Sequence, residues 1–237
     1  MKKIMFDDHY GLERAVLEGR KTMTRRIVPE KLQATFDACS KGVLVIPVSA
    51  IPEDLSIEEF AEQWCKQQGK PRLVTVKDEP DIQYIDGPVM VMEHSRYQKG
   101  DEVAIAQRYF DIALDTLDSN CDKEKYKAFK RAVESDNLHE QSGWGNKMFV
   151  RADLMPHRIR ITDIKVERLC DISPDDAMRE GISSHTDDKG TWYEVKGTTI
   201  VRYDPVEAFA ELINKISGKG TWDKNPWVFA YTFELVI

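Results

Sequence analysis

Apolar residues recur along this chain in short runs, and many of them alternate with polar residues as half-buried β-strands do. The longest such patterns cover residues 158–168 and 227–236. The full set of predicted strands is residues 4–6, 21–28, 43–48, 72–77, 89–93, 103–106, 149–152, 158–168 and 227–236, with a hairpin over 192–201 that turns at 196–197 after a loop over 185–190.

Stripes of apolar residues spaced three or four apart predict helices between these strands, and a capping residue precedes most of them. The first stripe is Leu12, Ala15 and Val16, and Gly19 follows where a glycine can end a helix. The predicted helices begin after Asp7 or Asp8, Ser56, Ser173 and Asp204, they end at Gly19, Gly69, Gly181 and Gly218, and a further lysine-rich helix contains Tyr126, Phe129 and Val133.

Many short strands with helices between them favour an α+β fold or a β-barrel-like domain over a sheet wound from βαβ units. With 237 residues, 41% of them hydrophobic, the chain can bury one sizeable core. We therefore expect a single domain over residues 1–237. Residues 30–95 and 111–143 are expected to be inserts on that domain, with helices of their own.

Composition argues against several classes of protein. No run of about eighteen apolar residues occurs, so no membrane-spanning helix is predicted, and the charged N-terminus lacks the apolar segment of a signal peptide. Cys39, Cys65, Cys121 and Cys170 are widely spaced. This spacing predicts reduced thiols of a cytoplasmic protein and no zinc site. No nucleotide-binding or metal-binding motif is present, so no cofactor and no metal are expected.

Cations are concentrated in one short segment of an otherwise acidic chain. Residues 14–31 contain six Lys or Arg and two Glu, whereas the whole chain has a net charge of −7. Such an island favours a local site, and the acidic total argues against a long groove that tracks phosphates. A solvated, charged turn is the alternative.

Lys21 and Thr24 are the pair in this segment that could act in catalysis, as a base and a nucleophile. Residues three apart point to opposite faces of a continuous strand, but they can meet in a turn. We expect Arg20, Arg25 and Arg26 to lower the Lys21 pKa by like-charge repulsion, and a neutral lysine could then activate the Thr24 hydroxyl as a nucleophile. The alternative is that the cations hold an anion while Thr24 packs.

Glu180 is the acid that we expect to work with this pair. It lies at the end of the helix that starts at Ser173, where a carboxylate opposes the helix dipole, although a solvated glutamate is the alternative. His157 could contact a base or a phosphate. Trp144, between two glycines, could offer a stacking platform at a rim, whereas Trp227 is expected to pack in the core.

Several segments, taken in order, resemble an ASCH-domain protein of the larger, phage-related type. They cover roughly half of the chain. The segments are Leu-Glu-Gly-Arg-Lys-Thr-Met-Thr-Arg-Arg at 17–26, Lys-Gly-Asp at 99–101, Met-Pro at 155–156, Asp-Ile at 171–172, Ala-Met-Arg-Glu-Gly at 177–181, Gly-Thr-Trp at 220–222 and Asn-Pro-Trp at 225–227. The resemblance implies a PUA-like β-barrel with flanking helices, and a cleft that binds RNA or a nucleobase.

Small bacterial N4-acetylcytidine amidohydrolases share the Gly-Arg-Lys-Thr-x-Thr part of the first segment. By position, this resemblance implies that Lys21 is the proton acceptor, Thr24 the nucleophile and Glu180 the acid. Two features depart from the family pattern. Gln107 stands where many phage-related members carry an acid, and the segment after Met155 is shorter. Both lie near the implied cleft, so the substrate can differ.

Three functions remain open at this point. The first is binding of RNA or a modified nucleoside in a small basic cleft. The residues expected to contact that ligand are Arg20, Arg25, Arg26, Trp144, His157 and Arg158. The second is hydrolysis of an N4-acylcytidine-type amide, for which Lys21, Thr24 and Glu180 must line one pocket. The third is a protein–protein adaptor, with Trp64 and Phe129 of the inserts at the contact surface.

Overall fold

The computed structural model describes residues 1–30, 32–33, 36–37, 54, 95–117 and 124–236. Its strands are β1 (Lys2–Ile4), β2 (Met23–Ile27), β3 (Glu102–Ile105), β4 (Arg158–Arg168), β5 (Ser183–Asp187), β6 (Gly190–Glu194), β7 (Val201–Arg202) and β8 (Trp227–Val236). Its α-helices include α1 (Leu12–Leu17), α2 (Tyr109–Asp115), α3 (Lys127–Ser135), α4 (Pro174–Arg179), α5 (Pro205–Ser217) and α6 (Thr221–Lys224). None of these helices is long and apolar enough to cross a membrane.

Five strands form the main sheet in the order β1-β3-β4-β8-β2, and β5, β6 and β7 form a small second sheet. The central pair, β4 and β8, runs antiparallel with a bulge between Ile161 and Asp163. The β1–β3 pair is parallel, and β2 lies antiparallel to β8, with Arg25 opposite Ala230. The charged segment that contains β2 is therefore held at one edge of the main sheet.

The structure confirms an α+β fold and confirms the two longest predicted strands at both ends. The predicted PUA-like barrel requires, in addition, that the sheet closes on itself. Among the described strands β1 and β2 are the two edges of the main sheet and do not pair with each other. Closure into a barrel therefore stays a prediction.

Two predicted helix starts are confirmed by their caps. The Ser173 side chain accepts a hydrogen bond from the Asp176 backbone N–H at 3.1 Å, and Asp204 accepts one from Val206 at 2.6 Å. Each is followed by a proline in the first turn, where its missing N–H costs nothing. These caps fix where α4 and α5 begin.

The predicted start of the first helix is wrong by several residues. Asp7 accepts from the backbone N–H of His9 at 2.8 Å and so closes a turn, and the helix begins only after Gly11, which has φ +65°. Gly19, with φ +73°, lies just past the end of the helix, as predicted. The chain thus leaves α1 in a left-handed turn that leads to Lys21.

Two further predictions of local structure are wrong. Residues 149–152 are not a strand but part of two 3₁₀ turns, and Lys3 donates to the Met148 and Val150 carbonyls that a sheet ladder would have used. Residues 185–190 are not a loop but belong to the β5–β6 hairpin. The polar β5 sequence lacks an apolar alternation, so the pattern gave no strand signal there. Predictions at 43–48, 72–77 and 89–93, the helix after Ser56, and Trp64 lie outside the described residues, as do Cys39, Cys65 and Cys121, whereas Cys170 is a free thiol.

Buried apolar residues form two clusters. The larger one packs α1, α4 and α5 against the main sheet. The smaller one joins β3 to α2 and α3, and Phe129 lies within it, 5.8 Å from the Tyr109 ring and only 1% exposed. Because Phe129 is a core residue, it cannot serve as a surface contact for a protein partner, contrary to the adaptor expectation.

Candidate functional site

A cavity of about 280 Å³ lies between the edge strand β2 and helix α5. The end of α4 and the residues around β1 and α1 complete its wall. The lining residues are Met5, Phe6, Asp7, Leu12, Lys21, Thr24, Arg25, Arg26, Ile27, Glu180, Phe209, Leu212, Ile213, Ile216 and Ser217. Lys21, Thr24 and Glu180 therefore line one cavity, as the amidohydrolase hypothesis requires.

Lys21 reaches the cavity from the turn between α1 and β2. Its backbone N–H donates to the Ala15 carbonyl at 2.9 Å, which folds the turn back onto α1. The side chain is 2% exposed, and its Nζ donates to both the backbone oxygen and Oε2 of Glu180, each at 2.7 Å. Lys21 precedes the strand, so the strand alternation that would have separated it from Thr24 does not apply.

Glu180 occupies the C-terminal cap of α4, and Gly181 allows that helix end to approach Lys21. Gly181 has φ +98°, and a Cβ on it would lie 3.3 Å from Leu12 and 3.4 Å from Lys21. A carboxylate at this end of a helix is electrostatically unfavourable by itself. Two cations offset this cost, because Lys21 meets Oε2 and Arg25 meets Oε1 at 3.0 Å.

Arg25 is buried among carboxylates beside the cavity. Its side chain is 1% exposed, and its Nε and Nη2 donate to Glu167 Oε1 at 2.8 and 2.5 Å. Nη2 also donates to Asp176 at 3.1 Å. Lys165 pairs with the same two carboxylates, at 2.7 Å from Asp176 and 3.1 Å from Glu167. Arg25 thus joins β2 to β4 and α4 through one network of ion pairs.

The Thr24 hydroxyl is unused by the fold. Thr24 is buried in the wall of the cavity, and no hydrogen bond joins its hydroxyl to any of the described residues. Every fully buried side-chain nitrogen or oxygen atom in those residues has a partner. The Thr24 oxygen therefore keeps some accessible surface, and a molecule in the cavity can reach it.

Burial is the main cause that lowers the Lys21 pKa. The negative charge of Glu180 and its hydrogen bond act in the opposite direction, and the positive charges of Arg26 and Arg25 lower the pKa further. The direction agrees with the sequence-based expectation. The cause differs, because desolvation dominates and Arg20 does not contribute.

Arg26 is the cation of the cavity wall that has no carboxylate partner among the described residues. Its Nη2 donates to the Met5 carbonyl at 2.6 Å, and the guanidinium carbon lies 5.9 Å from the centre of the Phe6 ring. Burial lowers its pKa, although an arginine keeps its proton at any physiological pH. Arg26 has donors left for an anion or a carbonyl oxygen.

The opposite wall is apolar and comes from α5. Phe209, Leu212 and Ile213 are buried on the face that α5 turns to the sheet. At the mouth, three larger apolar side chains keep about two fifths of their surface exposed. They are Met5, Ile27 and Ile216. The cavity therefore has one apolar wall and one charged wall.

Four of the residues expected to contact a ligand do not line this cavity. Arg20 pairs with Glu18 at 2.6 Å on the surface. Trp144 packs edge-on against Phe110, with ring centres 6.0 Å apart. Arg20 and Trp144 therefore make their contacts elsewhere in the fold, away from Lys21.

His157 and Arg158 are the other two predicted ligand contacts that do not line the cavity. The His157 Nδ1 lies 2.6 Å from Oε1 of Gln107, and burial, with a smaller contribution from the Lys125 charge, lowers its pKa to about 4. The neutral His157 imidazole therefore donates its Nδ1 hydrogen to the Gln107 amide oxygen and contributes to the fold. Arg158 lies in β4, where its backbone pairs with β3 and β8.

The sequence did not predict the acidic partners of Arg25 or the apolar wall that α5 contributes. Glu167 and Asp176 gave no signal, because nothing in the sequence relates the end of β4 to β2. Phe209 falls within the helix predicted between Asp204 and Gly218, but the surface that this helix packs against could not be predicted. Phe6 was read as the end of a strand and is instead the aromatic neighbour of two cations.

Comparison with protein families, with curated proteins and with solved structures found no match. The chemistry of the cavity is therefore inferred from its own residues. The arrangement offers one accessible hydroxyl, one buried lysine with a lowered pKa, one carboxylate between two cations and one arginine whose other N–H groups donate to none of the described residues.

Proposed function

We propose that the cavity binds a single nucleobase or nucleoside. The observation that carries this proposal is that Lys21, Thr24, Arg26 and Glu180 line one small cavity, which faces the apolar side of α5. Its volume of about 280 Å³ lies just below the range for small-molecule sites, which begins at about 300 Å³, so it suits a small ligand. A flat base has two apolar faces and a polar edge, and this cavity has the matching surfaces.

The resemblance of residues 17–26 to ASCH domains supports a ligand of this class. The charges support a small ligand over a long RNA strand. Arg20 and Arg158 lie outside the cavity, Lys21 and Arg25 are paired with acids, and the chain has a net charge of −7. Among the described residues that line the cavity, Arg26 is the cation that no carboxylate pairs with, whereas a groove that follows a phosphate backbone requires several such cations.

Isothermal titration calorimetry with cytidine and N4-acetylcytidine tests the binding proposal. Lys21→Met and Arg26→Gln should each weaken binding at least about tenfold, since each removes a donor from the wall. Lys165→Met is the matched control, because Lys165 belongs to the same ion-pair network but does not line the cavity. Absence of binding to the wild type, or equal binding by all four proteins, would contradict the proposal.

A second candidate function is hydrolysis of an N4-acylcytidine-type amide at the same site. It is favoured by one observation: the Thr24 hydroxyl makes no hydrogen bond to the described residues and lines the same cavity as Lys21. The Thr24 oxygen would attack the amide carbon while neutral Lys21 takes the hydroxyl proton, and the C–N bond would then break. Water would release the acid from the acyl-threonine.

The hydrogen bonds of Glu180 to two cations change the role of acid that the resemblance implies for it. Both carboxylate oxygens accept hydrogen bonds, Oε2 from Lys21 and Oε1 from Arg25, so neither oxygen is placed to donate a proton to the leaving amine. The proton for the leaving amine would come from Lys21, and Glu180 would orient the ammonium. In the structure Lys21 donates to Glu180 and not to Thr24, so the reaction requires its side chain to turn.

Release of cytidine from N4-acetylcytidine, followed by liquid chromatography, tests this second candidate. Thr24→Val should abolish turnover while leaving cytidine binding within about twofold, and Thr24→Ser should keep part of the activity. Turnover that survives in Thr24→Val would exclude the threonine as nucleophile. A wild type that binds both compounds and releases no cytidine would leave only the binding function.

A further inference from the structure

Arg25 differs from the other cations of residues 19–26 because carboxylates enclose its guanidinium. Nε and Nη2 are directed at Glu167 and Asp176, and Nη1 is directed at Glu180. These bonds occupy most of the five N–H groups of the side chain. Arg25 therefore has little left to offer a ligand, although it borders the cavity.

The carboxylate of Glu180 is divided between two cations. Oε1 accepts from Arg25, and Oε2 accepts from Lys21, whose Nζ also meets the Glu180 backbone oxygen. The terminal torsion of a glutamate is soft, so a carboxylate held on one side alone would turn. With Oε1 fixed by Arg25, only Oε2 and the backbone oxygen are presented to Lys21.

We propose that Arg25 is a positioning residue, which acts through Glu180 to fix the place and the charge state of Lys21 in the cavity wall. The effect of Arg25 on Lys21 does not depend on the proposed function. Any effect of Arg25 on a ligand, acting through Lys21, rests on the proposed function. Arg25 is part of β2 and contacts acids from β4 and α4, so it ties the two walls that carry Lys21 and Glu180.

The charged groups around Lys21 define the direction of the effect. Glu180 stabilises the ammonium, and Arg25 and Arg26 oppose it, while Asp7 lies in the same cavity wall. By sharing the Glu180 charge and adding its own positive charge, Arg25 makes Lys21 easier to deprotonate. Loss of Arg25 should leave Lys21 with the whole carboxylate and a higher pKa.

Titration of the lysine side-chain signals by ¹H–¹³C NMR on the full chain tests this proposal without any ligand. Arg25→Met should raise the Lys21 titration midpoint by about one pH unit. Arg25→Lys keeps the charge but cannot bridge three carboxylates, so it should raise the midpoint by less. Lys165→Met removes a cation that touches Glu167 and Asp176 but not Glu180, and should leave the midpoint unchanged.

A double substitution separates an effect through Glu180 from a direct charge effect. In a Glu180→Gln background, Arg25→Met should lose most of its influence on the Lys21 midpoint. An equal rise in both backgrounds would overturn the positioning role. If Arg25→Met does not fold, Arg25→Lys carries the test, and an unchanged midpoint in that variant would also overturn it.

The outcome is independent of the proposed function. A protein that binds no nucleoside can still show the raised Lys21 midpoint, which would support the positioning role and contradict the binding proposal. Variants that bind nucleoside with wild-type affinity and show no change in the Lys21 midpoint would contradict the positioning role alone.

Discussion

At the scale of single residues, the site separates groups that the fold needs from groups that it does not. Glu180 neutralises two buried cations, so its removal affects folding as well as any chemistry. The Thr24 hydroxyl makes no hydrogen bond to the described residues, so its removal affects only a molecule in the cavity. This contrast allows structural and functional effects to be measured apart.

Glu180→Leu should lower the free energy of unfolding by about 3–5 kcal/mol, because it leaves Lys21 buried without its carboxylate partner and removes one of the three acids around Arg25. Thr24→Val should change it by less than about 0.5 kcal/mol. Urea denaturation followed by circular dichroism measures both. A Thr24→Val protein that is as unstable as Glu180→Leu would show that the hydroxyl has a structural partner.

At the scale of elements, the site depends on the close approach of the end of α4 to the turn before β2. The Thr22 backbone N–H donates to the Arg179 carbonyl at 2.9 Å, next to the Lys21–Glu180 contacts. Gly181 permits this approach, since it combines a positive φ with the short distances to Leu12 and Lys21. The packing of two short elements thus determines the geometry of the ion pair.

Gly181→Ala should destabilise the protein more than Gly218→Ala does. Both glycines have φ near +100°, a backbone conformation that alanine rarely adopts, so both substitutions cost about 1–3 kcal/mol of backbone strain. Only the Cβ at 181 meets other residues, since nothing lies within 4 Å at 218. Crowding should add about 1 kcal/mol or more for Gly181→Ala, as measured by thermal unfolding. Equal losses would mean that the close approach carries no energy.

At the scale of the whole molecule, two partly buried titratable groups should give opposite pH dependences of stability. Glu13 lies beside Asp8 and Lys147, and burial, together with its hydrogen bond to Asp8, raises its pKa to about 7. Its contribution is complete below pH 4.5 and is lost as the pH rises through about 7. His157, with a pKa of about 4, does the reverse, because the unfolded state takes up a proton below about pH 6.5.

In the wild type these two contributions should largely cancel between about pH 4.5 and 6.5, since each amounts to at most about 3 kcal/mol. Glu13→Gln should make stability rise with pH across this window, and His157→Asn should make it fall. Urea titrations at three pH values measure the slopes. Slopes of the same sign in both variants would contradict the assigned protonation states.

Sequence reasoning predicted the parts of the fold where local signals are strong. The caps at Ser173 and Asp204 and the strands β4 and β8 follow from patterns within a few residues. Lys21, Thr24 and Glu180 were predicted to share a pocket, and the structure brings them to one cavity. Glu180 was selected first by its place at the end of a helix, where a carboxylate opposes the dipole, and the resemblance to ASCH domains then pointed to the same residue.

What the sequence could not predict depends on contacts between distant segments. Arg25 was expected to bind a ligand, and its three carboxylate partners lie between 142 and 155 residues away along the chain. His157 was expected near a phosphate, and burial beside Gln107 uses it in the fold instead. Side chains of these types serve either role, and only their neighbours decide which.

The most direct test of the central claim is a two-dimensional NMR titration of the pure protein with cytidine and N4-acetylcytidine, in wild type and in Lys21→Met. The account predicts saturable shifts in the wild type that are confined to residues of the cavity, including Thr24 and Arg26, and that are lost in the variant. Shifts that centre on residues far from this cavity, shifts that persist in Lys21→Met, or the absence of any shift would contradict it.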